Sequence, residues 1–223
     1  MSALVSGFML FVGMVAVLFF TTIAISTVRD RKRAVFLDKF QFPHGIRQRV
    51  QGKYPHLSSA QLDRVMDGLR EYFHLCRESP RFLLAMPSQA VDAAWHEFIL
   101  FTRNYQNFCD HALGRFLHHT PAEAMRSATE ATEGIRRTWS AACKRAGIDA
   151  KHPTHLPALF ALDTDLAIPN GFRYQLNCMQ PAQRAADGTI IYCASDIGCG
   201  GGGGGSDGDG GGDGGGCGGG GGD

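Results

Sequence analysis

From Met1 to Val28 the chain carries no charged side chain, and nothing else in the sequence restricts its fold as much. The heart of that run, Leu4 to Ile25, reads LVSGFMLFVGMVAVLFFTTIAI, apolar apart from small and hydroxyl-bearing residues. About 20 such residues cross the hydrocarbon core of a bilayer as a helix, which pairs its own backbone groups as lipid demands. A cleaved signal peptide would begin with basic residues and hold a shorter apolar core of ~7–15 residues. The expectation is therefore an uncleaved transmembrane anchor over residues 1–28.

Arg29, Arg31, Lys32 and Arg33 follow at once. Positive charge stays on the cytoplasmic side, so the amino end is expected outside and everything after Arg29 inside, as in a bacterial inner-membrane protein. The same four residues can attract anionic lipid, at ~1 kcal/mol each near the surface, which makes the bilayer itself a partner. A net charge of +1 with no basic–aromatic patch argues against a nucleic-acid partner.

The placement also bears on the seven cysteines. In a reducing compartment Cys76, Cys109, Cys143, Cys178, Cys193, Cys199 and Cys217 are expected free. Were the orientation reversed, Cys178 and Cys193 would be the pair to bridge, because they bracket an expected hairpin. No C-x-x-C spacing occurs, which leaves a zinc knuckle or thioredoxin-type site unsupported.

Residues 29–57 read as a basic juxtamembrane segment, weakly helical over PHGIRQRVQGK. Residues 58–197 read as a mainly α domain. Ser58 or Ser59 caps a helix running to about Glu78, with Leu62, Val65, Met66, Leu69, Tyr72, Phe73 and Cys76 on one face. Ser88 opens a long helix whose stripe runs from Val91, Ala94, Trp95 and Phe98 through Thr102, Tyr105, Phe108 and Cys109 to Leu113. Gly114 supplies its left-handed stop. Thr120-Pro121-Ala122-Glu123 is a capping box for a third helix reaching about Arg145, with Ile135, Trp139 and Cys143 inward and Gly147 at its end. An antiparallel bundle is the simplest packing. Two alternating stretches, Gly171–Leu176 and Gly188–Cys193, suggest a small β-hairpin laid upon it.

From Gly198 onward the chain is glycine but for a few Asp, Cys and Ser residues. It has no G-X-Y period, no phosphate-cradle context and no calcium-repeat period. With so few apolar side chains, residues 198–223 are expected to be a disordered tail.

Met86 to His119 reads MPSQAVDAAWHEFILFTRNYQNFCDHALGRFLHH. This stretch resembles the core motif of the glycine-rich domain-containing protein family, with its Asp, Trp-His pair, later Tyr, Cys and terminal His. The corresponding positions are Asp92, Trp95, His96, Tyr105, Cys109 and one of His118 or His119. The second His that many plant members carry is Phe98 here. The resemblance implies a fold more than an activity.

Asp92 and His96, four apart, share a side of the helix just off the apolar stripe, and suit a carboxylate orienting an imidazole. Cys109 would stand ~20 Å further along a straight helix and could not share an ion with His96. On an antiparallel neighbour, His74 and Glu133 fall level with the pair. His118 and His119 are expected to serve the tight connection before Thr120. The sequence has no nucleophile elbow, and a Cys within an apolar stripe is inert. The expected function is a cytosolic interaction or scaffold module with no cofactor and an unknown protein partner. The alternative is a membrane-tethered metal-dependent enzyme using Asp92 and His96.

Overall fold

The computed structural model describes residues 2–119, 128–176, 191–194 and 197. Helix α1 spans Ser2–Lys39, α2 His44–Lys53, α3 Ser59–Glu78 and α4 Gln89–Leu100. Helix α5, Thr102–Phe108, runs on into a wider π-helical turn over Cys109–Leu113. Then come α6 (Ala128–Ala146), α7 (Ala158–Asp165), and short strands β1 (Arg173–Gln175) and β2 (Ile191–Cys193). The chain is mainly helical with an apolar amino-terminal helix, as its periodicity dictates.

Within α1 the stretch Gly13–Lys39 is long and apolar enough to cross a membrane, and its most apolar window is not buried against the rest of the protein. Phe11, Met14, Phe19, Phe20 and Ile25 all face outward. A core helix of a soluble protein would instead hide such residues.

The helix does not stop at the basic flank. It continues without a break until Leu37 is fully enclosed by the domain. Its carboxyl end is held by α3. Arg70 donates to the carbonyls of Leu37, in the last turn, and Phe40, just past it. His74 Nε2 meets Asp38 at 2.8 Å and Arg77 meets Asp30 at 2.8 Å. Phe36, Phe40 and Phe42 join Phe73, Phe98 and Phe108 in one aromatic nucleus, with Phe73 and Phe108 centroids 4.7 Å apart.

The segment expected to lie outside the domain is therefore part of it. Leu37, Ile46, Val50, Tyr54 and Leu57 are all core residues. Apolar spacing in α2 is sparse, which hid its inward face from the sequence. Arg33 is likewise not given over to lipid: a Cβ on Gly114 would sit 1.7 Å from its guanidinium. Arg29, Arg31 and Lys32 remain exposed.

Helix α3 forms as its period requires. Ser58 caps it in a full capping box with Gln61, and Leu62, Val65, Leu69, Tyr72, Phe73 and Cys76 are buried. Gly68 lets α4 approach closely, since a Cβ there would lie 2.9 Å from Val91 Cγ2. Ser88 caps α4 and Gly114 ends the π-turn at φ 69°, both as expected.

The expected single helix from Ser88 to Gly114 is instead broken at Phe101, which adopts φ −82°, ψ 58°. No Pro or Gly announces it. The break folds α5 back on α4, so that Tyr105 and Phe108 are buried while Thr102 faces solvent. Trp95 Nε1 donates to the Tyr105 hydroxyl at 3.1 Å. In a straight helix these residues, ten apart, would be separated by ~15 Å of rise. The bend is what lets them meet.

Helix α6 ends before Gly147, which has φ 70°. The Thr120 capping box, Cys178 and the glycine-rich tail lie outside the described residues. The two strands pair, but in parallel, with Tyr174 opposite Tyr192. A tight hairpin turn cannot join parallel strands, so the expected hairpin is not formed.

Cys76, Cys109 and Cys143 are free and buried. Burial pushes the Cys76 thiol up to about 12 and Cys143 to about 11, so neither is a nucleophile at neutral pH. Cys193, against expectation, is disulfide-bonded, with its partner outside the described residues.

Candidate functional site

The amino terminus of α4 holds two carboxylates of different kinds. The first is Asp163 from α7, only 2% exposed. Its Oδ1 accepts from the Ser88 hydroxyl at 2.6 Å and the Ala90 amide at 3.3 Å. Its Oδ2 accepts from the Gln89 amide at 2.7 Å and the Phe172 amide at 2.9 Å. Asp163 thus satisfies orphan donors of the first turn of α4 and carries favourable charge at that end. Sequence reading missed it, because a cap supplied from more than seventy residues away leaves no local spacing.

The second is Asp92, within that same first turn. Its Oδ1 lies 2.9 Å from His119 Nε2, and its Oδ2 lies 3.4 Å from His96 Nδ1. The two imidazole centroids are 4.2 Å apart. Each of the three residues offers one ligand atom within 4.8 Å of the others. The His119 side chain is 10% exposed, Asp92 25% and His96 47%, so the cluster is closed from beneath and open to solvent on one side.

His119 reaches Asp92 because the chain before it is held at Leu117. The Tyr105 hydroxyl donates to the Leu117 carbonyl at 2.5 Å. The buried Cys109 thiol lies beside the Leu117 backbone and the Tyr105 hydroxyl. Beyond Leu117 the chain has no helical twist, so neighbours alternate in direction. Leu117 is buried, His118 turns outward against Phe116, and His119 turns inward onto Trp95 at 4.4 Å between ring centroids. Trp95 is in turn anchored on Tyr105. Burial raises the Tyr105 hydroxyl far above its ordinary value, which keeps it a neutral donor.

The residues singled out in the sequence thus divide by role. Asp92, His96 and His119 present donor atoms; Trp95, Tyr105 and Cys109 hold them in place; His118 stands apart. Two expectations need correction. His119 does not merely serve the connection before residue 120, since it completes the Asp92 cluster. His74 and Glu133 do not come near it: His74 pairs with Asp38 and Glu133 with Arg136. They failed because α1, unseen as a domain element, takes His74.

Fold and site together define a small α domain carried on an apolar helix, with a His–His–Asp cluster at the start of α4. The chain belongs to the family described as UCP032817-like, which it matches over residues 32–197. That span begins inside α1 and takes in the whole cluster. No curated protein and no solved structure matches the chain.

Proposed function

We propose that this is a single-pass membrane protein whose α1 spans the bilayer and whose helical domain is a cytosolic interaction or scaffold module. The observation that carries the reading is the continuity of α1, exposed and apolar at one end and enclosed at Leu37 at the other. A helix rigid to its root fixes the domain at the membrane surface, as an assembly platform requires. Arg29, Arg31 and Lys32 supply the cytoplasmic bias and a contact for anionic headgroups. The Cys193 disulfide weighs the other way, because such bonds are rare in reducing compartments. Charge asymmetry acts at insertion, before any disulfide forms, and the orientation follows it.

Fractionation of cells followed by protease treatment of spheroplasts tests this directly. The full-length chain should pellet with membranes and its domain should be protected. Recovery of a chain lacking the residues before Arg29 would make α1 a cleaved leader, and digestion of the domain would reverse its orientation. Pull-down from solubilised membranes should return a stoichiometric protein partner.

A membrane-tethered metal-dependent enzyme is the second reading. What favours it is His119, which adds a third donor to the Asp92 and His96 that the sequence offered.

A further inference from the structure

From the geometry at the start of α4 we infer a binding site for one divalent transition-metal ion, held by Asp92, His96 and His119 and open to water on its remaining side. The inference deepens the second reading above and is independent of the anchored-scaffold reading.

Three observations converge on it. The donor set comes first. Two imidazoles and one carboxylate are the ligands chosen by zinc, iron(II), manganese and nickel rather than by calcium or magnesium, which favour oxygen alone. Spacing comes second. Tetrahedral bonds of ~2.0–2.1 Å put ligand atoms about 3.3 Å apart. The Asp92–His96 pair is 3.4 Å apart through Oδ2 and the Asp92–His119 pair 2.9 Å through Oδ1, and one ligand atom from each of the three lies within 4.8 Å of the others, so side-chain rotations of about an ångström bring them onto one ion. Third is the frame. Trp95, Tyr105 and Cys109 are 4%, 1% and 0% exposed, and all three bear on the Leu117–His119 segment. A histidine serving only as a hydrogen-bond partner for a half-buried carboxylate needs no such support, whereas a ligand held to within ~0.5 Å does.

The openness distinguishes the kind of site. Structural zinc sites close with four protein ligands, whereas sites that handle a substrate keep a position for water. Here the third protein donor is His96, whose side chain is 47% exposed, and the described residues bring no fourth His, Cys, Asp or Glu into the cluster. An ion held this way keeps at least one exchangeable coordination position, where a small anion or a carbonyl or phosphoryl oxygen can bind.

The test uses the full-length chain in detergent, stripped with a chelator and titrated with cobalt(II), whose visible absorption reports coordination. One cobalt per chain is expected, displaced by zinc. His96→Ala is the decisive variant, because that side chain is half exposed and outside the core, so its fold should survive. It should weaken cobalt binding at least about tenfold, and Asp92→Asn should do the same. Circular dichroism and a melt confirm that each variant is folded. No stoichiometric cobalt in the wild type overturns the site, and so does binding left unchanged in folded His96→Ala. Stoichiometric cobalt in a chain that hydrolyses no ester or phosphate substrate offered to it would count against the enzyme reading alone.

Discussion

Asp163 and Asp92 stand at the same end of α4, and their surroundings differ in a way that separates structure from chemistry. Asp163 is enclosed, and both its oxygens are taken by main-chain amides and one hydroxyl. Nothing in that shell can titrate or leave. Asp92 is partly open, and its partners are two imidazoles, groups able to change protonation state or to ligate. A carboxylate satisfied by backbone donors holds the fold together. One satisfied by histidines is available for something else.

Substitutions can break this contrast, and the largest effect belongs to Asp163. Asp163→Ala leaves several buried donors unsatisfied at once and should destabilise the domain by about 3–5 kcal/mol in a denaturant melt. A loss below 1 kcal/mol would show that water replaces the carboxylate and that this corner is not sealed. Trp95→Ala should cost a similar ~3–5 kcal/mol by opening a cavity, and should release His119 as well. An unchanged melt would refute its burial.

Tyr105→Phe keeps the ring but strands Trp95 Nε1 and the Leu117 carbonyl. About 1–3 kcal/mol is expected, together with weaker metal binding. Asp92→Asn should cost only ~0.5–1.5 kcal/mol while weakening cobalt binding at least about tenfold, the reverse of Asp163. Were Asp92→Asn as damaging as Asp163→Ala, the two carboxylates would be doing the same job.

The smallest effect sharpens the comparison with a third pair. His74 faces a single carboxylate, Asp38, yet burial and then the Arg145 charge lower its pKa below the ordinary 6.5, against the pull of Asp38. The unfolded chain therefore binds a proton here more readily than the folded one. The stability this contributes is present above about pH 6.5 and is lost as the pH falls through the lower, folded-state value. Melts between pH 7.5 and pH 5 should show an acid decline that flattens in His74→Gln. An identical decline in the variant would mean that other groups set the pH response.

Much of this could be read from the chain. The α3 stripe, the Ser58 and Ser88 caps and the Gly114 stop are local patterns, and each fell where spacing placed it. The break at Phe101 was not legible, because apolar spacing continues straight through it. Phe101 turns for a tertiary reason: its ring packs over Gly45 on α2, where a Cβ would lie 3.1 Å from Cζ. The parallel sense of β1 and β2 was hidden for a like reason, since alternation marks strands and says nothing of direction. At the site, Asp92 and His96 were legible through their i, i+4 spacing, whereas His119 was marked only by the family resemblance, as one of two candidates, and its place beside Asp92 was not legible. Its position depends on the bend at Phe101 and on the grip at Leu117, and neither leaves a local signature.

The unbroken α1 has a mechanical corollary. With Arg70, His74 and Arg77 clasping its lower end, the domain holds one compass heading relative to the apolar stretch of α1, set by helical phase. Each residue added to the stalk turns the heading by about 100° and lifts the domain by ~1.5 Å. One alanine inserted between Ile25 and Arg33 would point the Asp92 mouth elsewhere, whereas seven would nearly restore its bearing about 10 Å farther out.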